Sequence, residues 1–177
     1  MGWNVILALI PPIFGWLLLV TRQKVLKVVF ALIWFLFLPN TLYLITDLLH
    51  IIWQWRHMHH AGQIVLALQY ITLVLIGLIT FLLALYPVEK ALLRSSWLKK
   101  KSLVSLFIIM TNFLLGLGIV LGRVQRINSW DVIVDIPKVI VASLSIFNSL
   151  ELILFVLFFG IFANVYYFVC RKSFQVS

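Results

Sequence analysis

Five long apolar runs restrict this chain to one kind of fold. A helix needs about 20 mainly apolar residues to cross the ~30 Å hydrocarbon core of a bilayer. Runs suited to this role lie at about 3–20, 25–50 (broken near 39–40), 64–85, 103–123 and 150–170. A membrane barrel would show short alternating strands instead. The sequence therefore predicts an all-α integral membrane protein, in which a single domain over residues 1–177 forms a bundle of about five transmembrane helices.

Prolines mark where the first two runs depart from regular helix. Pro11 and Pro12 lie inside the first run and remove two backbone donors, which predicts a kink. Pro39 and Asn40 interrupt the second run. Because proline is tolerated at a helix start, we expect a helix to resume there, with Asn40 satisfying backbone groups that the break frees.

A sixth segment, 132–148, is too polar to be predicted as a span. Apolar residues recur in it at the spacing of one helical face: Val139, Ile140, Leu144 and Phe147. We interpret it as an amphipathic helix on the outer face, lying on the membrane surface or against the bundle.

The net charge of +9 is distributed unevenly along the chain. Most cations flank the apolar runs, where they set topology and meet lipid headgroups, so the bilayer is the expected partner and nucleic acid is not. With the N-terminus outside, ten cations face inward: Arg22, Lys24, Lys27, Lys90, Arg94, Lys99, Lys100, Lys101, Arg171 and Lys172. Four face outward: Arg56, Arg123, Arg126 and Lys138. This excess favours an N-out, C-in orientation in the plasma membrane.

Polar residues after the proline break share one helical face. Asn40, Tyr43, Asp47 and His50 recur at i, i+3, i+7 and i+10. Asp47 and His50 are one turn apart, so the carboxylate can orient the imidazole. Two interpretations stay open. In the first, Asp47 and His50 are functional, either as catalytic residues with a general base among them or as a pair of metal ligands. In the second, the stripe joins helices while Asp47 neutralises an arginine.

A second polar stripe extends along the fourth run to its end and beyond. Its members recur at i, i+4, i+7, i+11 and i+14: Asn112, Gly116, Ile119, Arg123 and Arg126. Gly116, Gly118 and Gly122 allow a neighbouring helix to approach closely. Two arginines on one face suit a phosphate or carboxylate. Alternatively, they snorkel to headgroups or pair with Asp47 or Asp131.

The residues after Arg126 are typical of a turn with an interfacial tryptophan, Trp130. We expect Asn128 or Ser129 to cap the next helix, with Asp131 in its first turn. The candidate substrate-binding residues are Arg123, Arg126, Asn40, Tyr43, Asn128, Trp130 and Asp131.

Histidines and one cysteine are the remaining candidates for metal chemistry. Cys170 alone excludes an intrachain disulfide and a multi-cysteine metal site. His50, His57, His59 and His60 follow the second run. Their spacing matches no specific metal motif, so metal binding and a pH-sensitive exposed loop both stay open. We assign no metal ligand, and the cofactor is unknown.

Three blocks of residues resemble those of a known family. They are Asn4-x3-Ala8-x2-Pro11, Leu38-Pro39-Asn40-x2-Tyr43-Leu44-x-Thr46-Asp47-Leu48-x-His50, and Gly118-x3-Gly122-Arg123-x2-Arg126-x-Asn128-Ser129-Trp130-Asp131. The chain resembles an uncharacterised bacterial family of multi-pass membrane proteins, described only as a domain of unknown function. The resemblance implies a membrane location and a multi-helix fold, and it implies no activity.

The topology puts both polar stripes at the extracytoplasmic end of the bundle. Convergent polar groups at one end of an apolar bundle favour an anion-binding site that acts on a lipid or a lipid-linked phosphate, with an anionic headgroup as partner. The alternatives are a non-catalytic binding or transport component for a small solute and an assembly partner in a membrane complex. The protein partner is unknown, and whether the chain is an enzyme stays open.

Overall fold

Helices account for nearly all of the computed structural model, which describes residues 2–56, 58–95 and 100–174. In chain order they are α1 (Gly2–Val20), α2 (Lys24–Phe37), α3 (Pro39–Thr46), α4 (Ile51–Trp55), α5 (His60–Arg94), α6 (Lys101–Val124), α7 (Asp131–Val134), α8 (Ile136–Phe147) and α9 (Leu150–Cys170). Short 3₁₀ turns cover Asp47–His50 and Arg171–Phe174.

Five helical segments are long and apolar enough to cross a membrane. They are α1, the continuous stretch Lys24–His50, α5, α6 and α9. No strand occurs in the part of the chain that the structure describes. The prediction of an all-α membrane protein with five membrane-length helices is confirmed. The N-out, C-in orientation stays a prediction.

The break in the second run has the predicted local chemistry. Helix α2 ends at Phe37 and α3 begins at Pro39. The Asn40 side-chain amide donates to the Phe37 carbonyl at 3.0 Å. This bond satisfies a carbonyl freed at the break, because the Thr41 backbone N–H, which would reach Phe37 in a regular helix, donates to the Leu38 carbonyl at 3.1 Å.

The predicted helix bounds differ from the structure in two places. Helix α5 continues to Arg94, well beyond the predicted end at 85, because Glu89 is held there by partners on α9 and the turn after it. The amphipathic segment is not one helix over 132–148. It breaks at Asp135, whose carboxylate accepts from the Lys138 backbone N–H at 3.2 Å and so caps α8.

Helix α3 joins two groups of helices at the centre of the bundle. Helix α1 packs against α2 and α5, and α6 packs against α9. Helix α3 contacts α1, α5 and α6. Its approach to α6 depends on Gly118, because a Cβ on that residue would lie 2.5 Å from the Pro39 ring. Gly116 lies on another face, against the Val156 carbonyl of α9.

Helix α8 packs against the end of α6 and exposes its other side. Ala142 and Ile146 are buried against a cluster that includes Val120 and Leu121. Of the predicted apolar face, Val139 packs on this cluster, whereas Ile140, Leu144 and Phe147 are exposed. The apolar periodicity therefore indicated a helix that the structure contains. The face that α8 buries against the bundle, however, lies next to the predicted apolar face.

Candidate functional site

The two polar stripes meet at one buried ion pair. The Arg123 guanidinium lies 3.5 Å from one oxygen of Asp47, and the Asn4 side-chain amide donates to the other oxygen at 3.3 Å. The Asp47 side chain is 6% exposed and that of Arg123 is 24% exposed. A buried carboxylate is costly unless it is paired and hydrogen-bonded. Side chains from two separate helices, Asn4 of α1 and Arg123 of α6, thus supply the partners that the Asp47 carboxylate requires.

His50 belongs to this cluster but does not contact the Asp47 carboxylate as expected. Its Nδ1 lies 3.2 Å from Arg123 and 3.3 Å from the Asp47 backbone carbonyl. The chain forms a tighter 3₁₀ turn over Asp47–His50, and Arg123 and Asn4 occupy the carboxylate oxygens. Arginine only donates, so its contact needs a lone pair on Nδ1, whereas the carbonyl contact needs a proton there. The two contacts therefore belong to different tautomers of the imidazole. The catalytic role of Asp47 and His50 stays a prediction.

Arg126 does not continue the helical face of Arg123. Helix α6 ends at Val124, and Arg126 has a φ of 53°, in the left-handed region. The Ile127 backbone N–H then donates back to the Leu121 carbonyl at 3.1 Å, which closes the helix end. A non-glycine residue in this conformation costs about 1–2 kcal/mol. The Arg126 side chain is exposed and has no hydrogen-bond or ion-pair partner among the described residues.

The turn after Arg126 is tied to the proline break. The Asn40 amide donates to the Ser129 hydroxyl at 2.9 Å, so Ser129 links α3 to this turn and does not cap α7 as expected. Asp131 lies in the first turn of α7, as predicted, and accepts from the Asn128 backbone N–H at 2.9 Å. Trp130 is 41% exposed beside it.

Asp131 is stabilised in its ionised form. The backbone hydrogen bond from Asn128 lowers the pKa of Asp131 below its usual value, and the Lys138 ammonium 3.3 Å away adds to this effect, while burial opposes it. A carboxyl group whose pKa is lower in the folded state contributes stability above its unfolded pKa, about 3.9, and that contribution is lost as the pH falls through the folded value.

We therefore expect Asp131→Asn to lower the thermal unfolding midpoint at pH 7. The difference from the unmodified protein should shrink as the pH falls below about 4, because both proteins are then neutral at this position. Unfolding curves measured across this pH range check the prediction. Glu151→Gln is the matched control, because Glu151 is exposed and has no side-chain partner among the described residues. Equal effects of the two substitutions at pH 7 would contradict it.

A cavity of about 340 Å³ lies next to the ion pair. This volume falls within the range of about 300–1,000 Å³ that is typical of ligand sites. Four of the seven predicted binding residues line it, namely Asn40, Tyr43, Asn128 and Trp130, and Ser129 lines it as well. Arg123, Arg126 and Asp131 do not line it, nor do Asp47 and His50, but Asn4 both lines the cavity and donates to Asp47. The ionic cluster and the cavity are therefore neighbours that share one side chain.

The ion pair and the cavity lie within the part of the chain that matches a protein family. The family described as "Protein of unknown function (DUF1361)" matches residues 3–166. The chain belongs to this family. No curated protein and no solved structure matches it. The matched stretch of this DUF1361 protein includes the ion pair, His50, Arg126 and every residue that lines the cavity.

A second ionic cluster at the opposite end of this DUF1361 protein was not predicted. Glu89, which is 6% exposed, accepts from the Tyr167 hydroxyl at 2.5 Å and pairs with Arg171 at 2.6 Å. The partners are 78 and 82 residues away. One signal was present in the sequence, because the predicted topology leaves Glu89 as the lone acidic residue on the side to which it assigns ten cations.

The histidines other than His50 take no part in either cluster as far as the structure describes them. His59 and His60 are exposed at the start of α5, and His57 lies outside the described residues. Among the described residues, no group of three or more potential ligands is placed to hold a metal ion.

Proposed function

We propose that this DUF1361 protein binds an anionic lipid or lipid-linked phosphate at the polar end of its bundle, in the extracytoplasmic leaflet of the plasma membrane. The observation that carries the proposal is the position of the Asp47–Arg123 pair beside a ligand-sized cavity whose rim is polar. Polar groups at one end of an apolar cavity are the arrangement that orients an amphipathic ligand.

Two cations at this end are paired with carboxylates, whereas Arg126 has no such partner among the described residues. Asp47 neutralises Arg123, and Lys138 pairs with Asp131. Arg126 lies three residues beyond Arg123 and sits in a backbone conformation that arginine adopts at a cost. Such strain at a non-glycine residue supports a functional reason for it. A phosphate at the rim would supply the partner that Arg126 lacks within the described part of the chain.

Binding without chemistry is better supported than catalysis. Both Asp47 oxygens are occupied and its side chain is buried, so Asp47 suits a role in positioning Arg123 and His50 more than direct proton transfer. His50 retains one ring nitrogen, Nε2, with no partner among the described residues. A catalytic variant of the proposal would therefore use His50 as the base or acid.

A structural or assembly role is the second candidate function. Asn4, Asp47 and Arg123 link α1, α3 and α6, and such a link contributes to the fold whether or not a ligand binds. Exposed Trp130 beside it is suited to an interfacial or partner contact.

Binding of phosphatidic acid by the full chain in phosphatidylcholine nanodiscs tests the proposal. We expect native mass spectrometry to show retention of phosphatidic acid in preference to phosphatidylcholine. Arg126→Ala should weaken this binding about tenfold, which corresponds to the loss of one charge-assisted hydrogen bond. The matched control is Arg22→Ala, because Arg22 is also exposed but follows α1 at the other end of the bundle.

Both arginine variants should unfold at the same temperature as the unmodified protein. No preference for phosphatidic acid, or equal binding by the two variants, would overturn the proposal and favour the structural role.

A further inference from the structure

The cavity changes from polar to apolar along its length. Its polar rim includes Asn40, Asn128 and Ser129, near the end of α6. Its walls continue along α6 from Leu121 to Leu114. Seven residues of helix correspond to roughly 10 Å at ~1.5 Å per residue. The apolar part therefore reaches well into a helix that is long enough to span the membrane.

The cavity opens sideways between two groups of helices. Several lining residues are also exposed on the outer surface: Phe35 of α2 is 38% exposed, Leu114 of α6 is 49% exposed and Val132 of α7 is 39% exposed. Helix α2 packs mainly against α1 and to a smaller extent against α3. Helix α8 packs against α6, α7 and α9. The exposed residues that line the cavity thus belong to α2 on one side and to α6 and α7 on the other.

An opening beside Leu114 faces hydrocarbon when the helices span a bilayer. Leu114 is ten residues before the end of α6, which is roughly 15 Å from that end at ~1.5 Å per residue. That is about the middle of a ~30 Å hydrocarbon core. Lipid chains are the molecules that contact a protein at this depth, and water is absent from it.

We infer that the cavity holds part of a hydrocarbon chain of a membrane lipid, which enters sideways between α2 and the α6–α8 pair. The inference rests on the proposed function, because the phosphate of the same lipid would lie at the Arg126 end. Tyr43 lines the cavity beside Gly122, near the end of α6, and its hydroxyl has no hydrogen-bond partner among the described residues. That hydroxyl is suited to donate to an oxygen at the junction of headgroup and chain.

A photoreactive lipid tests where the chain lies. The probes are phosphatidic acid and phosphatidylcholine that carry a diazirine at the middle of one acyl chain, each in nanodiscs with the full protein. We expect crosslinks from phosphatidic acid to concentrate on cavity residues such as Leu36 and Leu117. Leu32 on the outer surface of α2, which is 58% exposed, should be labelled at least fivefold less. Equal labelling of Leu32 and Leu36 would overturn the inference.

Filling the cavity supplies a second measurement. Leu117→Trp should reduce crosslinking to the Leu36 wall at least fivefold, whereas Leu106→Trp, at a position 50% exposed on the same helix, should not. If Leu117→Trp fails to fold, Val139→Phe tests the opposite wall with the same expected result. Unchanged labelling in a folded cavity-filling variant would overturn the inference.

The two lipids separate this inference from the proposed headgroup site. Cavity labelling that is equal for phosphatidic acid and phosphatidylcholine supports the chain site and overturns the anion site. Preference for phosphatidic acid with labelling only on outer surfaces supports the anion site and overturns the chain site. Competition by unlabelled undecaprenyl phosphate and unlabelled phosphatidic acid shows which lipid class is held more tightly, and failure of both to compete would overturn the chain site.

Discussion

Replacing Arg123 with alanine is expected to destabilise the protein by about 3 kcal/mol, because the buried Asp47 carboxylate loses its ion-pair partner. Breaking a buried pair from one side typically costs about 3–5 kcal/mol. We expect the lower end of that range, since the contact is 3.5 Å long and the Arg123 side chain is 24% exposed. Chemical denaturation in detergent micelles, followed by circular dichroism, measures the change.

The double variant Asp47→Asn/Arg123→Ala distinguishes loss of the pair from loss of the arginine itself. With a neutral amide at position 47, no buried charge is left without a partner, so the double variant should be more stable than Arg123→Ala alone. Arg126→Ala is the control for removing an arginine from this end, and it should leave the free energy of unfolding within about 0.5 kcal/mol. Additive effects of the two single substitutions would show that Asp47 and Arg123 are not coupled.

Removing Arg171 is expected to have a larger effect, about 3–5 kcal/mol. Glu89 is 6% exposed, and its contacts are shorter than those of Asp47, at 2.6 Å to Arg171 and 2.5 Å to Tyr167. Tyr167 cannot replace the lost charge, so Arg171→Ala leaves an ionised carboxyl group buried with one neutral donor. The same denaturation measurement gives the change in the free energy of unfolding.

Lys172→Ala is the matched control for this second substitution. Lys172 is the next residue in the same 3₁₀ turn, and it is exposed. Lys172→Ala should therefore change the free energy of unfolding little. Adding Glu89→Gln should restore part of the stability that Arg171→Ala loses. If Arg171→Ala and Lys172→Ala were equally mild, the Glu89 cluster would not stabilise the fold.

Features that depend on nearby residues were predictable from the sequence. The five membrane-length helices follow from the length of the apolar runs, which a bilayer demands. The bond from Asn40 to the Phe37 carbonyl spans three residues, so the position of Pro39 was enough to anticipate it. The place of Asp131 in the first turn of α7 likewise follows from the turn that precedes it.

Features that depend on helix packing were not predictable in the same way. Asp47 and Arg123 are 76 residues apart, and their contact requires α3 and α6 to approach where Gly118 meets Pro39. The sequence offered Asp47 two partners, Arg123 and His50, and tertiary contacts decide between them. Glu89 contacts Tyr167 and Arg171 because α5 extends beyond its apolar run and reaches α9.

The position of Arg126 was missed for a different reason, although the predicted end of α6 at 123 agrees with the observed end at Val124 to one residue. Helix ends are usually marked by glycine or asparagine in the left-handed position, and here that position holds Arg126. Local propensity therefore argued for a continuing helix that would have placed Arg126 above Arg123. A departure from local preference of this kind is expected mainly at functional or strained sites.

The ion pairs of the two ionic clusters form in a fixed order during synthesis. The acidic residue of each cluster precedes its basic partner, since Asp47 precedes Arg123 and Glu89 precedes Arg171. A ribosome delivers the chain from its N-terminus. During synthesis Asp47 therefore has no ion-pair partner until α6 has been made. Glu89 has none until the residues after α9 have been made. Nascent chains that have not yet reached Arg171 lack the second ion pair, so the Glu89 cluster forms only after α9 has been synthesised.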